Sequence, residues 1–266
     1  MSDTGDFRGE FRDMVRSFTL LQALLYRDIS ARYKKSLLGP AWAILQPLVL
    51  MVIFSMLRGI VKIPSDNIPY VIFSYSALVP WTFFSNAVNY CGPSILTNAA
   101  ILKKMALWRE VFPLAAVVTA VFDFVMSFAV LVGMMAWFRI PFSAHALWAV
   151  PLLLFMASAL AFGIGMFVAA LGSFKRDIIF AMPFIMQFWI FATPVMYPLS
   201  SVPARWRVLY LLNPMAGIVE GFRNVLIKGT PPGMGQLGLA AAVTLCVLAL
   251  SWTVFRLLSQ YFADVI

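Results

Sequence analysis

The chain has 266 residues, of which 62% are hydrophobic and 12% charged, and its net charge is +9. Soluble domains run near 45–50% apolar and about 25% charged, so this composition excludes an ordinary water-soluble fold and defines a membrane protein. Cys91 and Cys246 lie far apart with no pairing or ligand spacing, and a lone histidine, His145, builds no metal site, so neither a disulfide nor a metal is expected.

A bilayer core about 30 Å thick takes ~20 mostly apolar residues per helix. Uncharged stretches at 36–57, 67–102, 140–174, 178–204 and 229–255, with 111–138 interrupted only by Asp123, predict six spans near 40–60, 69–91, 111–138, 147–172, 178–198 and 235–257. The intervening segments alternate sides. Thirteen Lys and Arg fall on the side of the termini and seven on the other, which predicts both termini in the cytoplasm. The basic excess therefore serves topology and contact with anionic lipid, with no nucleic acid expected. The fold class is an all-α polytopic membrane protein.

Residues 1–35 read as a cytoplasmic segment. They carry charges throughout and lack the short apolar core and cleavage site of a removable signal peptide. Phe7, Phe11, Met14, Val15, Phe18, Leu21 and Leu25 recur at steps of three and four between charged residues, an amphipathic helix pattern. Its basic content suits a helix lying on the membrane interface; a helix packed on a soluble partner is the alternative. Arg32, Lys34 and Lys35 then hold the start of the first span at the cytoplasmic face. Gly39–Pro40 fits a break between that helix and the span, Pro being tolerated at a helix start, or else a kink in one long helix.

Asp123 is the only acidic residue within a predicted span, a functional candidate by default or a bond to a neighbouring helix. Between spans two and three, "TNAAILKKMALWREVFP" (97–113) reads as a short cytoplasmic helix presenting Lys103, Lys104, Trp108, Arg109 and Glu110, or as a solvated loop. In the fifth span Phe180, Phe184, Phe188 and Phe191 make one stripe, with Tyr197 nearby. The stripe serves packing or lipid contact, or it lines a path on which sugar rings stack.

The segment 197–233 is too long and apolar for a simple loop, and its two apolar pieces are each too short to cross. Two half-helices broken at Asn213–Pro214 fit these lengths, and irregular backbone at membrane depth is tolerated only against protein or water. Glu220 and Arg223 stand at i,i+3 and can pair, as a structural link or as a gate latch. The sequence holds no G-x-x-x-x-G-K-[ST] phosphate loop, no G-x-S-x-G and no H-E-x-x-H, so neither ATP binding by that loop nor catalysis is expected of this chain.

"RDISARYKKSLLGPAWAILQP" (27–47), "LVPWTFFSNAV" (78–88), "NAAILKKMALWREVFPL" (98–114), "NPMAGIVEGFR" (213–223) and "YFADVI" (261–266) resemble the membrane subunits of type-2 ABC exporters of bacterial surface polysaccharide, the O-antigen, capsule and teichoic acid permeases. The resemblance covers nearly the whole chain. It implies a six-span transmembrane domain over 36–266 behind the N-terminal segment, with an interface helix at about 9–33. It also implies a coupling helix at about 97–110 against a separate ABC ATPase, and a re-entrant gate at about 199–228. It further implies that two copies form a channel for a lipid-linked polysaccharide in the inner membrane, that ATP and Mg sit on the ATPase subunit, and that this chain binds no cofactor. Leu107–Trp108–Arg109 departs from the compact turn expected before "EVFP". A drug or small-lipid exporter of the same superfamily, a membrane-embedded glycosyltransferase and a scaffold subunit are the competing readings.

Overall fold

The structure, a computed structural model, describes residues 7–34, 36–61, 63–66, 68–103 and 108–262. Helix α1 (Phe7–Tyr33) precedes α2 (Ala41–Val61) and α3 (Tyr70–Cys91). Two single turns, α4 (Ser94–Thr97) and α5 (Ala99–Leu102), lead toward α6 (Val111–Trp137), α7 (Ala146–Phe174) and α8 (Asp177–Trp189). A 3-10 turn at Leu199–Ser201 is followed by α9 (Ala204–Leu211), α10 (Pro214–Leu226) and α11 (Met234–Ser259). No strand occurs among the described residues. Five helices, α2, α3, α6, α7 and α11, are long and apolar enough to cross a membrane.

The break between α1 and α2 is real. Gly39 adopts φ +50°, a left-handed conformation open to glycine at little cost, and Pro40 stands immediately before the first residue of α2. One long kinked helix is thereby excluded.

Of the five, α3 is the least apolar and the most enclosed. Three of its hydroxyls bond its own backbone: Ser74 donates to the Tyr70 carbonyl (2.9 Å), Ser76 to Phe73 (2.9 Å) and Thr82 to Leu78 (2.8 Å). Two more reach neighbouring segments, Tyr70 the Met196 carbonyl and Tyr75 the Ser127 carbonyl, which lets the helix sit at the centre of an apolar bundle, where an unpaired polar group would be costly. The core forms around it from Phe73, Leu78, Phe83 and Phe84 with Phe124 of α6, Leu153 of α7 and Phe222 of α10. By contrast α2 and α11 leave most of their surface uncovered.

One predicted short helix is described only in part, and one predicted span is helical over only part of its length. Of the helix expected over 97–110, Thr97 closes α4, Ala99–Leu102 form one turn of helix and residues 109–110 a turn, and Lys104 to Leu107 lie outside the described residues. Asn98 interrupts the helical path, its side-chain amide donating to the Ser94 carbonyl (2.7 Å), the local competition that keeps Asn out of helix interiors. The fifth predicted span is helical only to Trp189 and continues as turns to Pro198. This segment still passes along the bundle: Ile179 packs on Gly172 at one end, and the Met196 carbonyl accepts from Tyr70 (3.0 Å) at the other.

Close approach decides one glycine. A Cβ on Gly165 of α7 would lie 2.4 Å from Cys91 Cβ and 2.7 Å from its sulfur, so α3 and α7 meet there through a missing side chain. Gly165→Ala should cost about 1–3 kcal/mol of unfolding free energy through overpacking. Gly238→Ala on α11, where a Cβ meets nothing within 4 Å, should be neutral or stabilising by up to about 1 kcal/mol. Unfolding of both variants in the same detergent checks the contrast, and equal effects would remove the close-packing account.

Candidate functional site

Three clusters of side chains and one exposed segment hold the sequence candidates. The first is a lateral cleft of about 950 Å³ between α2, α3 and α8. Trp42, Gln46, Val49 and Phe54 come from α2, Trp81, Ser85, Asn86 and Asn89 from α3, and Gln187, Phe188 and Phe191 from α8 and the turn after it. Asn86 donates to Gln46 across the cleft (3.2 Å). Phe180, Phe184, Phe188 and Phe191 are all more than half exposed, and only the last two border the cleft. Tyr197 does not line it: its hydroxyl donates to the Phe191 carbonyl (2.9 Å) and contacts the Tyr210 hydroxyl, which ties the turn to α9. Flat rings beside amides suit a ligand that offers apolar faces and hydroxyls together. The amides Gln46, Asn86, Asn89 and Gln187 were missed in the sequence, although polar side chains inside spans were the available signal.

The second cluster is built on α10. Asn213 caps it, its Oδ1 accepting from Met215 N (3.1 Å) while its amide donates to Thr193 Oγ1 (2.9 Å) and the Ala192 carbonyl (3.1 Å). Pro214 fills the first helical position, where its missing N–H costs nothing. Nearly all of α10 is buried, and Gly217 and Gly221 face Gln236 and Leu153 so closely that a Cβ would lie 3.1 and 2.8 Å from them. Arg223 is fully enclosed. It pairs with Glu220 (2.9 Å), donates to the carbonyls of Pro194 (3.0 Å) and Val195 (3.2 Å), and lies 3.8 Å from the centroid of Phe73. Lys228 joins Glu220 (3.1 Å) to Asp66 (3.1 Å), and Asp66 accepts from Ser200 (3.2 Å). The predicted pair is thus the buried half of a network of four charges whose outer half, Lys228 and Asp66, pattern reading did not find. Asp66 comes from the α2–α3 connection, more than 150 residues away in sequence.

The third cluster joins two candidates expected separately. Arg32 at the end of α1 pairs with Asp123 of α6 (3.0 Å), and its guanidinium lies 3.6 Å from the centroid of Tyr90 of α3. Tyr33 donates to the other oxygen of Asp123, and Tyr90 makes a long 3.5 Å contact to the carboxylate. Burial, reinforced by that bond to Asp123, pushes the Tyr33 phenol above its ordinary range, so it remains a donor. Asp123 is therefore the anchor of α1 on the bundle. Lys34 is exposed, and Lys35 lies outside the described residues.

The segment before α6 is mixed. Lys103 and Trp108 are exposed, and Lys104 is among the residues not described. Arg109 sits 6.0 Å from the Phe262 ring, and Glu110 faces Arg256 of α11 (2.8 Å) instead of solvent.

Five apolar helices of spanning length define a multi-pass membrane protein. The chain belongs to the ABC-2 type transporter family, which matches over residues 19–227; this is a family of transport rather than catalytic subunits. It is 29% identical over 257 residues to an O-antigen export system permease of Myxococcus xanthus, covering 95% of this chain and 97% of that protein. An O-antigen export system permease of Klebsiella pneumoniae is 26% identical over 80% of this chain and 82% of its own length. A polysialic acid transport protein of Escherichia coli is 25% identical over 89% and 92%.

The Arg32–Asp123 pair is almost fully sheltered on the carboxylate side, so its loss should be felt. Arg32→Gln and Asp123→Asn should each destabilise the fold, and the double variant should show a coupling of about 1–3 kcal/mol in unfolding free energy. Strictly additive effects would show that the two side chains do not act as a pair.

Proposed function

We propose that this chain is the permease subunit of an ATP-driven exporter of lipid-linked polysaccharide, of the O-antigen or capsule kind. The observation that carries the reading is the cleft between α2, α3 and α8: Trp42, Trp81 and Phe188 offer flat faces, and Gln46, Asn86 and Gln187 offer amides to hydroxyls. The relatives support it, since two are named O-antigen export system permeases and one a polysialic acid transport protein, each matched over most of its length. A drug exporter would have little use for four amides on an apolar wall.

In this reading the cleft is half of a channel. The exposed apolar side chains of α2 and α8 that flank it, among them Val49, Ile53, Met56, Phe180 and Phe184, meet a second copy, and the glycan threads between the two. The stretch from Asp177 to Pro198 makes the sixth crossing, helical in its first part. Both termini lie in the cytoplasm and α1 rests on the inner face of the cytoplasmic membrane, so Arg32 and Asp123 mark that face. There Lys103, Trp108 and the flanking residues meet an ABC ATPase that carries ATP and Mg. At the outer face α9 and α10 dip into the leaflet, and the charge network around Arg223 latches the gate.

Deletion of the gene in its host should trap glycan inside on its lipid carrier and strip it from the surface, as read by carrier mass spectrometry and surface staining. Unchanged surface glycan with nothing trapped would sink the polysaccharide reading. Phe188→Ala should slow export of long chains several-fold more than of short ones, because stacking worth about 1 kcal/mol at each ring repeats as the chain slides. Equal slowing for all lengths, read from the length distribution on gels, would assign Phe188 to packing.

A further inference from the structure

The bundle has two separate apolar cores. The larger surrounds α3; the smaller lies where α1, α6, α7 and α11 meet, and holds Leu24, Phe112, Met166, Ala169, Phe255 and Phe262. Phe262 stands past Ser259, where α11 ends, yet it is fully buried. A turn brings it there, with Tyr261 N donating to the Leu258 carbonyl (3.0 Å). Its ring meets Phe255 edge to face at 5.5 Å and Phe174, the last residue of α7, at 6.3 Å. Rings so placed attract beyond the area they bury.

The same end of α11 holds the stretch before α6. That stretch is bonded to the helix it opens: Val111 N donates to the Trp108 carbonyl (3.2 Å), Phe112 N to Arg109 (3.3 Å) and Leu114 N to Glu110 (3.1 Å). Val111 and Phe112 are buried in the smaller core. From the side of α11, Arg256 pairs with Glu110 (2.8 Å), and the Phe262 ring lies 6.0 Å from the Arg109 guanidinium. Two adjacent residues are thus held by opposite chemistry, one by charge and one by a ring face. Arg256 also lies 5.1 Å from the Trp252 ring, one turn earlier on α11, which steadies its guanidinium. Its side chain is 56% exposed, and an ion pair so open adds little to the stability of a fold. Its effect is on direction: it sets which way the turn at 109–110 faces.

What this stretch carries outward is Trp108, about half exposed, with exposed Lys103 on the near side of the same segment. A large exposed ring beside cations is the kind of side chain that anchors a protein contact, and an anchor contributes most when its pose is set before the partner arrives. Through Phe174 the Phe262 ring also reaches the start of the α7–α8 turn, where Lys175 and Arg176 are exposed. Both connections at this end of the bundle are therefore registered against one side chain.

We propose that Arg256 and Phe262 are positioning residues: acting through Glu110 and Arg109, they hold Trp108 in one pose for a partner subunit. That partner is the ABC ATPase, an identity that rests on the function proposed above.

Hydrogen exchange of the full chain in detergent, read by mass spectrometry, tests the hold. Arg256→Gln should speed exchange of the peptide containing Val111, Phe112 and Leu114 about two- to fivefold, the weight of one open ion pair in a local equilibrium, and leave peptides of α3 unchanged. Phe262→Leu keeps an apolar side chain and loses the ring, and should speed the same peptide about tenfold. Arg256→Lys should exchange like the parent chain. Unchanged exchange there in both Arg256→Gln and Phe262→Leu overturns the proposal, and so does a rise shared equally by α3, which would make the two side chains ordinary contributors to stability. If Phe262→Leu does not fold, Arg256→Gln alone decides. The two changes combined should weaken binding of the ATPase to the purified chain several-fold, and Arg256→Lys should bind as the parent does. Undiminished binding by a doubly substituted chain whose peptide exchanges faster would overturn the role in presenting Trp108. A parent chain that binds no ATPase would sink the proposed function, a failure seen before any substitution, whereas the positioning role fails only in the variants.

Discussion

A guanidinium enclosed on every side cannot remain charged without compensation, and the organisation of one whole end of the bundle follows from supplying it to Arg223. Glu220 on the same helix provides the charge, and Phe73 of α3 provides a ring face. The remaining donors need carbonyls, and those inside a continuous helix already accept the N–H four residues on and point along the helix axis. The chain after Trp189 leaves the helical path and offers the carbonyls of Pro194 and Val195. The early end of α8 and the buried arginine of α10 are therefore one fact seen from two elements. Removing Arg223 alone would leave the buried Glu220 with the part-exposed Lys228 as its counter-charge, and breaking a buried pair from one side is strongly destabilising.

The opposite end repeats the device with a different helix. There α1 is held to α6 by Arg32 on Asp123, with Tyr33 and Tyr90 completing the carboxylate's partners. At the first end α10 is tied to its neighbours by Arg223 on the Pro194 and Val195 carbonyls, and at the second α1 is tied to α6 by a charge pair sheltered from water, where it is screened less than a surface pair. Such a tie is directional as well as strong. It fixes the rotation of α1 and α10 about their own axes, which apolar packing leaves free. A moving gate or a helix that follows a partner needs that kind of connection, since it breaks at a defined place.

How much of this was legible in the sequence depended on range. Periodicity over neighbouring residues gave α1, the break at Gly39–Pro40, and the cap and start of α10 at Asn213–Pro214, because each is decided within a turn or two of chain. The pair Glu220–Arg223 was legible for the same reason. Lys228 and Asp66 were not, because their meeting depends on how the α2–α3 connection folds over α10. Asp123 and Arg32 were each visible as charges at a boundary, yet nothing local says that they touch across 91 residues. Hydropathy also extended the fifth span through residues 190–198: it registers apolar side chains and is blind to whether the backbone carbonyls are needed elsewhere. The aromatic stripe of α8 was read at the right residues but too uniformly, since Phe180 and Phe184 lie outside the cleft that Phe188 and Phe191 border.

The cleft itself explains why α3 had to be the enclosed helix. The path proposed above for a hydroxylated chain requires polar side chains held by a helix that cannot rotate or slip into lipid. With α6, α7 and α10 packed on it, α3 meets that requirement and presents Ser85, Asn86 and Asn89 on its one open face. By contrast α2 and α8 keep apolar, uncovered outer surfaces, while α2 is held to the core through Gln46 on Asn86 and its Ala43 carbonyl on Ser127. In the proposed exporter α3 is the fixed polar rail of the path, and the apolar rim is the surface left to meet a second copy.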